Sequence, residues 1–304
     1  MTSVRARIMR RLVERVGLAD DLTLEERRRR MERPDRLPRP RRVVYDEERL
    51  AGVPILTATP TDVPPLRHVL YLHGGGYCLG SPTSHVAMVA RLAKRAGAVG
   101  ILPDYRLAPE HPYPAAIDDC VAVYRALLEE IDPATLAIAG DSAGGGAALA
   151  TLCRLRDAGV PLPAAAYLLS PWTDLTASGA SMTDKADADP MLKEAFLREA
   201  ARLYAAATPL DDPGVSPLFA DLAGLPPVLI QTGTDEILLD DTTRIVERLQ
   251  TAGVEVTVEL ADDLWHVYPG FAGFMPEATA ALVRAGTFLR ARLLPTGHRS
   301  TIDH

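Results

Sequence analysis

The run Gly140-Asp141-Ser142-Ala143-Gly144, continued by Gly145 and Gly146, sets one hydroxyl among very small neighbours. It lies between an apolar run at 135–139 and a segment of helical period at 143–158. That strand–turn–helix setting is the one in which G-x-S-x-G presents a nucleophilic serine. The sharp turn holds the backbone strained, and the helix N-terminus beneath it favours negative charge developing nearby. The plainer alternative is a tight turn whose serine only caps the helix; the strand–helix setting favours the nucleophile.

A second glycine run, His73-Gly74-Gly75-Gly76, directly follows a strand ending at Leu72. Without Cβ atoms in the way, its backbone N–H groups can point into a cavity. Fixed donors of that kind stabilise the oxyanion of a tetrahedral intermediate, and losing one costs about 2.7–4 kcal/mol of barrier. A phosphate cradle is the competing use. No lysine or threonine completes a P-loop here, however, and G-x-G-x-x-G fails because position 79 is Leu.

A serine on such an elbow takes its partners in the chain order acid, then histidine. Of the seven histidines, His266 is the one between the last predicted strand (254–260) and the last predicted helix (276–294). The acid belongs on the loop after the preceding strand, where Gln231-Thr232-Gly233-Thr234-Asp235 places Asp235. Glu236, Asp240 and Asp241 compete. Asp240 and Asp241 read as the cap and first turn of the next helix, and Asp235 is the choice, orienting His266 and stabilising its imidazolium.

These groups need a scaffold. Apolar runs rich in valine, isoleucine and leucine recur at 53–59, 67–72, 98–102, 135–139, 164–169, 227–232 and 254–260. Helical segments at 83–96, 114–130, 143–158, 240–252 and 276–294 alternate with them. This is the pattern of an α/β fold with a mostly parallel sheet covered on both faces. Residues 172–225 break the rhythm, with a helix near 191–207 and no convincing strand. Residues 1–33 read as helical until Pro34, Pro38 and Pro40 impose an extended linker. Residues 1–40 and 172–225 together are a candidate helical cap over 41–171 and 226–295, with 296–304 a tail. Leu203, Tyr204 and nearby alanines suggest a modest apolar pocket, to which Trp172 and Val267 are further candidate contributors.

The 304 residues, 47% apolar and 24% charged, suit one large soluble α/β domain with an accessory element. No stretch reaches the length of a membrane span. The N-terminus lacks the apolar core of a secretory signal, so a cytoplasmic location is expected. Cys78, Cys120 and Cys153 are too few and too scattered for a disulfide framework or a zinc site. Residues 1–42 carry fourteen arginines against seven acidic residues, leaving the remainder about −14 of the net −7 chain. The arginines alternate with Ile8, Leu12, Val16, Leu22 and Leu24 and read as the solvated side of short helices. With no aromatic platform or recognition motif beside them, nucleic acid is not an expected partner.

The His73–Gly76 motif, the run Asp104–Ala116 and the Gly140–Gly145 elbow together resemble the bacterial hormone-sensitive-lipase-like esterases. Ser170-Pro171-Trp172, Asp189-Pro190-Met191, Asp235 with Leu238, and His266-Val267 extend the likeness over most of 65–290. Acetyl-hydrolases and monoterpene lactone hydrolases are the members it is most similar to. The resemblance implies the α/β-hydrolase fold, an eight-stranded, mostly parallel sheet flanked by helices, with a helical cap. It implies oxyanion donors in the Gly74-Gly75-Gly76 run and at Ala143, with His73 and the Asp104–Ala116 run structural. It implies no metal and no cofactor, a small-molecule ester as substrate, and a homodimer as a frequent assembly. The activity implied is a serine carboxylesterase for short- to medium-chain esters. An N-acetyl amide or lactone hydrolase with the same residues is the nearest alternative. A non-catalytic receptor on a hydrolase fold is the alternative of another class, and the retained His266 weighs against it.

Overall fold

Short strands that are apolar on both sides are stable only when helices cover both faces of their sheet. The computed structural model of the chain has that layering, and it describes residues 2–16, 22–32, 38–62, 64 and 66–293. The strands are β1 (Val43–Leu50), β2 (Val53–Pro60), β3 (His68–Leu72), β4 (Val99–Pro103), β5 (Leu136–Asp141), β6 (Ala165–Leu169), β7 (Val228–Gly233) and β8 (Val256–Ala261). They form one sheet in the order β1-β2-β4-β3-β5-β6-β7-β8. β1 and β2 run antiparallel to their neighbours, and every later pairing is parallel. The helices are α1 (Val4–Val16), α2 (Leu24–Met31), α3 (Pro82–Ala96), α4 (Ala115–Leu127), α5 (Ala143–Asp157), α6 (Ser181–Asp184), α7 (Glu194–Ala205), α8 (Leu239–Thr251) and α9 (Pro276–Arg292).

Side-chain alternation sends successive strand residues into two separate cores. Leu70, Leu72, Leu136 and Ile138 pack with α4, α5, α7 and α8 on one face. Val69, Tyr71, Ala137 and Ala139 pack with α3, α9 and the inner side of α1 on the other. The central strands β3 and β5 are therefore buried along almost their whole length, which explains their unbroken apolar sequence.

The eighth strand implied by family likeness is β1, which the apolar runs did not disclose. Its sequence Val-Val-Tyr-Asp-Glu-Glu-Arg-Leu lies on an exposed sheet edge, where no hydrophobic run is required. Ala51 and Gly52, both at positive φ, turn it tightly into β2. At the N-terminus the expected helical stretch is two helices, α1 and α2. The apolar residues Ile8 and Leu12, read as the packed side, are in fact exposed; Ala6 and Val13 face inward. Pro34 and the 296–304 tail lie outside the described residues, and Pro38–Pro40 carry no regular structure. Among the described residues no helix is long and apolar enough to cross a membrane.

Helix α9 closes against α3 at Gly286. A Cβ there would stand 2.3 Å from the Arg95 Cβ and 2.9 Å from the Arg95 carbonyl carbon, so the helices approach too closely for any side chain. Gly286→Ala is expected to push them apart and to destabilise the protein by about 1–3 kcal/mol, read as a lowered urea midpoint at unchanged slope.

Candidate active site

At the end of β5 the chain must reverse into α5 within one residue, and Ser142 is that residue. It is held at φ 53° and ψ −124°, a conformation L-residues seldom adopt. Its amide donates to the Leu169 carbonyl, and its own carbonyl accepts from Gly145, Gly146 and Trp172. The flanking glycines are sterically required. A Cβ on Gly140 would meet the Gly144 carbonyl oxygen at 2.2 Å, and one on Gly144 would meet the Leu72 oxygen at 2.0 Å.

Asp141 joins this elbow to the loop after β3. Its buried carboxylate accepts from Tyr71 Oη at 2.9 Å and from the Gly74 amide at 3.1 Å, and His85 Nε2 lies 3.4 Å away. Burial disfavours the charge, but the His85 ring overcomes it and Asp141 is held below the usual carboxylate range. His73 is stacked on Tyr105, and burial together with His85 lowers its pKa to about 3, so it stays neutral and structural.

The Gly74 amide is thus committed to Asp141, which corrects its inclusion among the oxyanion donors. The amides of Gly75, Gly76 and Ala143 take no partner among the described residues. Gly75 and Gly76 sit at φ 126° and 63° and line the cavity above Ser142. Ala143 is the first residue of α5, where a helix leaves its amides unsatisfied.

This loop is braced from the Asp104–Ala116 run, where the Ala108 amide donates to the Tyr77 carbonyl. Arg106 forks onto Asp119 within the same support. Arg28 of α2 binds the carbonyls of Cys78 and Ala108, each at 2.8 Å, and forks onto Glu110. Cys78 beneath it is buried, its thiol pushed up to about 12, and is no nucleophile.

His266 is buried and lines the same cavity as Ser142. Its carboxylate partner is Glu236. His266 Nδ1 lies 2.6 Å from Glu236 Oε2, while Glu236 Oε1 accepts from Ser170 Oγ and the Gly233 amide, each at 2.9 Å. Asp235, the residue chosen from sequence, points the other way. Its Oδ2 accepts from Arg10 Nη1 of α1 at 2.8 Å, and Arg10 also binds the Ala188 carbonyl. The physical reason is chain direction: Asp235 donates its amide to Leu264 alongside the His266 loop, so consecutive side chains leave on opposite sides. Glu236 is the adjacent competitor in the sequence, and nothing in local composition separates it from Asp235. Burial alone would lower the His266 pKa, but the Glu236 hydrogen bond and charge outweigh it and raise the pKa above the usual 6.5.

The cavity over Ser142 and His266 has a volume of about 560 Å³. Val267 lines it as expected; Trp172, Leu203 and Tyr204 do not. Trp172 is wholly buried beside the elbow, and Tyr204 is stacked on Tyr77 at 3.7 Å within the core. Leu203 packs against the same core. Helix α7 instead turns Phe196 and Leu197, two turns earlier, toward the opening. A further wall is α1, which contributes Met9, Leu12 and Val13, joined by Met88 and Phe271. Among the described residues no group of three or more His, Cys, Asp or Glu side chains is placed to hold a metal ion.

Comparison with known proteins agrees with this geometry. The model of a family with the α/β-hydrolase fold matches residues 69–270. An acetyl-hydrolase of Streptomyces hygroscopicus is 44% identical over 83% of this chain and 89% of its own. A carboxylesterase of Mycobacterium tuberculosis is 37% identical over 81% of this chain and 82% of its own. The crystal structure of an esterase from the bacterial hormone-sensitive lipase family superposes with a TM-score of 0.94 at 38% identity, covering 97% of this chain and all of the other. The chain therefore belongs to the α/β-hydrolase family and, within it, to the bacterial hormone-sensitive-lipase-like esterases.

Proposed function

We propose that the protein is a serine carboxylesterase that hydrolyses short- to medium-chain esters through an acyl-enzyme on Ser142. The observation that carries the reading is the buried 2.6 Å contact of His266 with Glu236, at the cavity that Ser142 and two glycine amides share. An ionised carboxylate only accepts, so Nδ1 of the ring is the donor and Nε2 is the basic nitrogen. His266 takes the Ser142 proton as the hydroxyl oxygen bonds to the ester carbonyl carbon. The amides of Gly75, Gly76 and Ala143 stabilise the resulting oxyanion. The carbon–oxygen bond to the leaving alcohol breaks as His266 returns the proton to it. Water then repeats the sequence, releasing the acid and restoring Ser142. Glu236 orients the ring and stabilises its cation, and Asp235 has no part in the proton transfer.

In the same reading, residues 1–40 and 172–225 form one cap over the catalytic domain of 41–171 and 226–295. The apolar lining from Met9, Val13, Phe196 and Leu197 supports an apolar acyl group. Three buried free thiols suit a reducing, cytoplasmic setting. A homodimer is the expected assembly. The name of the Streptomyces relative, an acetyl-hydrolase, favours one further reading, removal of acetyl groups, and the same residues would serve an acetyl group carried on oxygen or on nitrogen. Turnover of an acetyl ester against its matched acetamide separates the two.

Three outcomes test the assignment. Ser142→Ala is expected to lower kcat on p-nitrophenyl butyrate by at least about 10⁴-fold; residual turnover near wild type would refute the nucleophile. Glu236→Gln is expected to lower kcat by about 10²–10⁴-fold. Asp235→Asn, which loses only a partly exposed ion pair to Arg10 that makes no contact with His266, should stay within about fivefold of wild type. The reverse ranking would restore Asp235. Finally, catalysis needs His266 unprotonated, so kcat/KM should fall as pH drops through its pKa. Because that pKa is raised, the acid limb should have its midpoint above 6.5, and Glu236→Gln should move it to lower pH.

A further inference from the structure

Helix α1 has two apolar sides. Ala6, Met9 and Val13 face the protein, while Val4, Ile8 and Leu12 recur every fourth residue on the opposite side, 61%, 55% and 47% exposed. In helical projection Arg15 falls in line with these apolar residues, about one turn beyond Leu12, with Arg11 and Arg5 on either flank. The exposed stripe continues off the helix. Arg5 shares a surface hollow with Phe274 and Val283, and Leu12 and Phe274 both stand at the opening of the Ser142 cavity. Of the eight large apolar side chains exposed among the described residues, five are these: Val4, Ile8, Leu12, Phe274 and Val283. Their concentration around one opening is what separates this face from ordinary surface scatter.

The charge decides what the face fits. Among the described residues Arg5, Arg11 and Arg15 have no carboxylate partner, and Glu14 is spent on Arg10. Arg30 and Arg39 add two guanidinium groups at the cavity rim. A second copy of the chain, related by a two-fold axis, would set these arginines against themselves. An anionic lipid surface would accept both features, the apolar stripe entering the acyl boundary and the arginines meeting headgroups. The geometry points to the α1 face as a docking surface for an anionic lipid–water interface, which brings the cavity opening onto the layer where apolar esters dissolve. Docking is independent of the catalytic assignment, since it needs no turnover.

The test is flotation of the full chain with vesicles of equal phosphatidylglycerol and phosphatidylcholine, and with phosphatidylcholine alone. The expected result is partition onto the anionic vesicles, weakened by added salt, with little on the neutral ones. The double variant Val4→Glu with Ile8→Glu touches neither the cavity nor the core. It should lose at least about thirtyfold in partition while hydrolysing soluble p-nitrophenyl acetate within about twofold of wild type. Arg11→Gln with Arg15→Gln should weaken binding to the anionic vesicles alone. Failure of the wild-type chain to float with anionic vesicles would overturn the proposal, as would undiminished partition of the Val4, Ile8 variant. So would a wild-type dimer that this variant converts to monomer without any vesicle binding, which would make the face a contact between copies.

Discussion

The constraint on which the site depends is the reversal at Ser142. A single residue must end a buried parallel strand, start a helix and keep its side chain facing the cavity, and it does so at positive φ. That conformation is unfavourable in isolation and persists because its surroundings over-determine it. The Ser142 amide is tied to the end of β6, and its carbonyl holds three amides, one of them from Trp172 beyond that strand. Gly140 and Gly144 leave no room for a side chain in the crossing. Trp172, expected at the substrate, has this supporting task instead.

From the elbow outward, positions are passed on by buried polar groups. Asp141 fixes the first glycine amide of the neighbouring loop, and the next two amides take no partner among the described residues. Tyr71 and His85 hold that carboxylate from a strand and a helix. On the far side Ser170, the residue just after β6, donates to Glu236 and also accepts from the Val267 amide. One hydroxyl thereby aligns the acid with the loop that carries His266. Each such group is buried, so loss of any partner would leave an unsatisfied charge or dipole in a medium that cannot solvate it.

Much of this was legible in the sequence, for identifiable reasons. Strands buried on both faces must be apolar throughout, so β3, β5, β6 and β7 announce themselves. Glycines that are sterically forced, as in Gly140-x-Ser142-x-Gly144, form a motif, and His266 follows from chain order. The features that escaped depend on direction rather than composition. Asp235 and Glu236 are adjacent carboxylates, and which one meets His266 is set by the path of a loop between β7 and α8. β1 is an edge strand that needs no hydrophobic signature. Leu203 and Tyr204 sit on the right helix but on the side turned to the core, while Phe196 and Leu197 reach the cavity. The N-terminal arginines read as the solvated side of short helices because charge is conspicuous, yet Arg10 and Arg28 are working ties.

The central claim is that one particular buried carboxylate holds the imidazole, and proton NMR observes that bond directly. A ring proton shared between Nδ1 and a carboxylate at 2.6 Å is strongly deshielded and protected from solvent exchange. The account predicts such a far-downfield resonance in the wild-type protein, kept in Asp235→Asn and absent from Glu236→Gln. A resonance that survives in Glu236→Gln and vanishes in Asp235→Asn would contradict it.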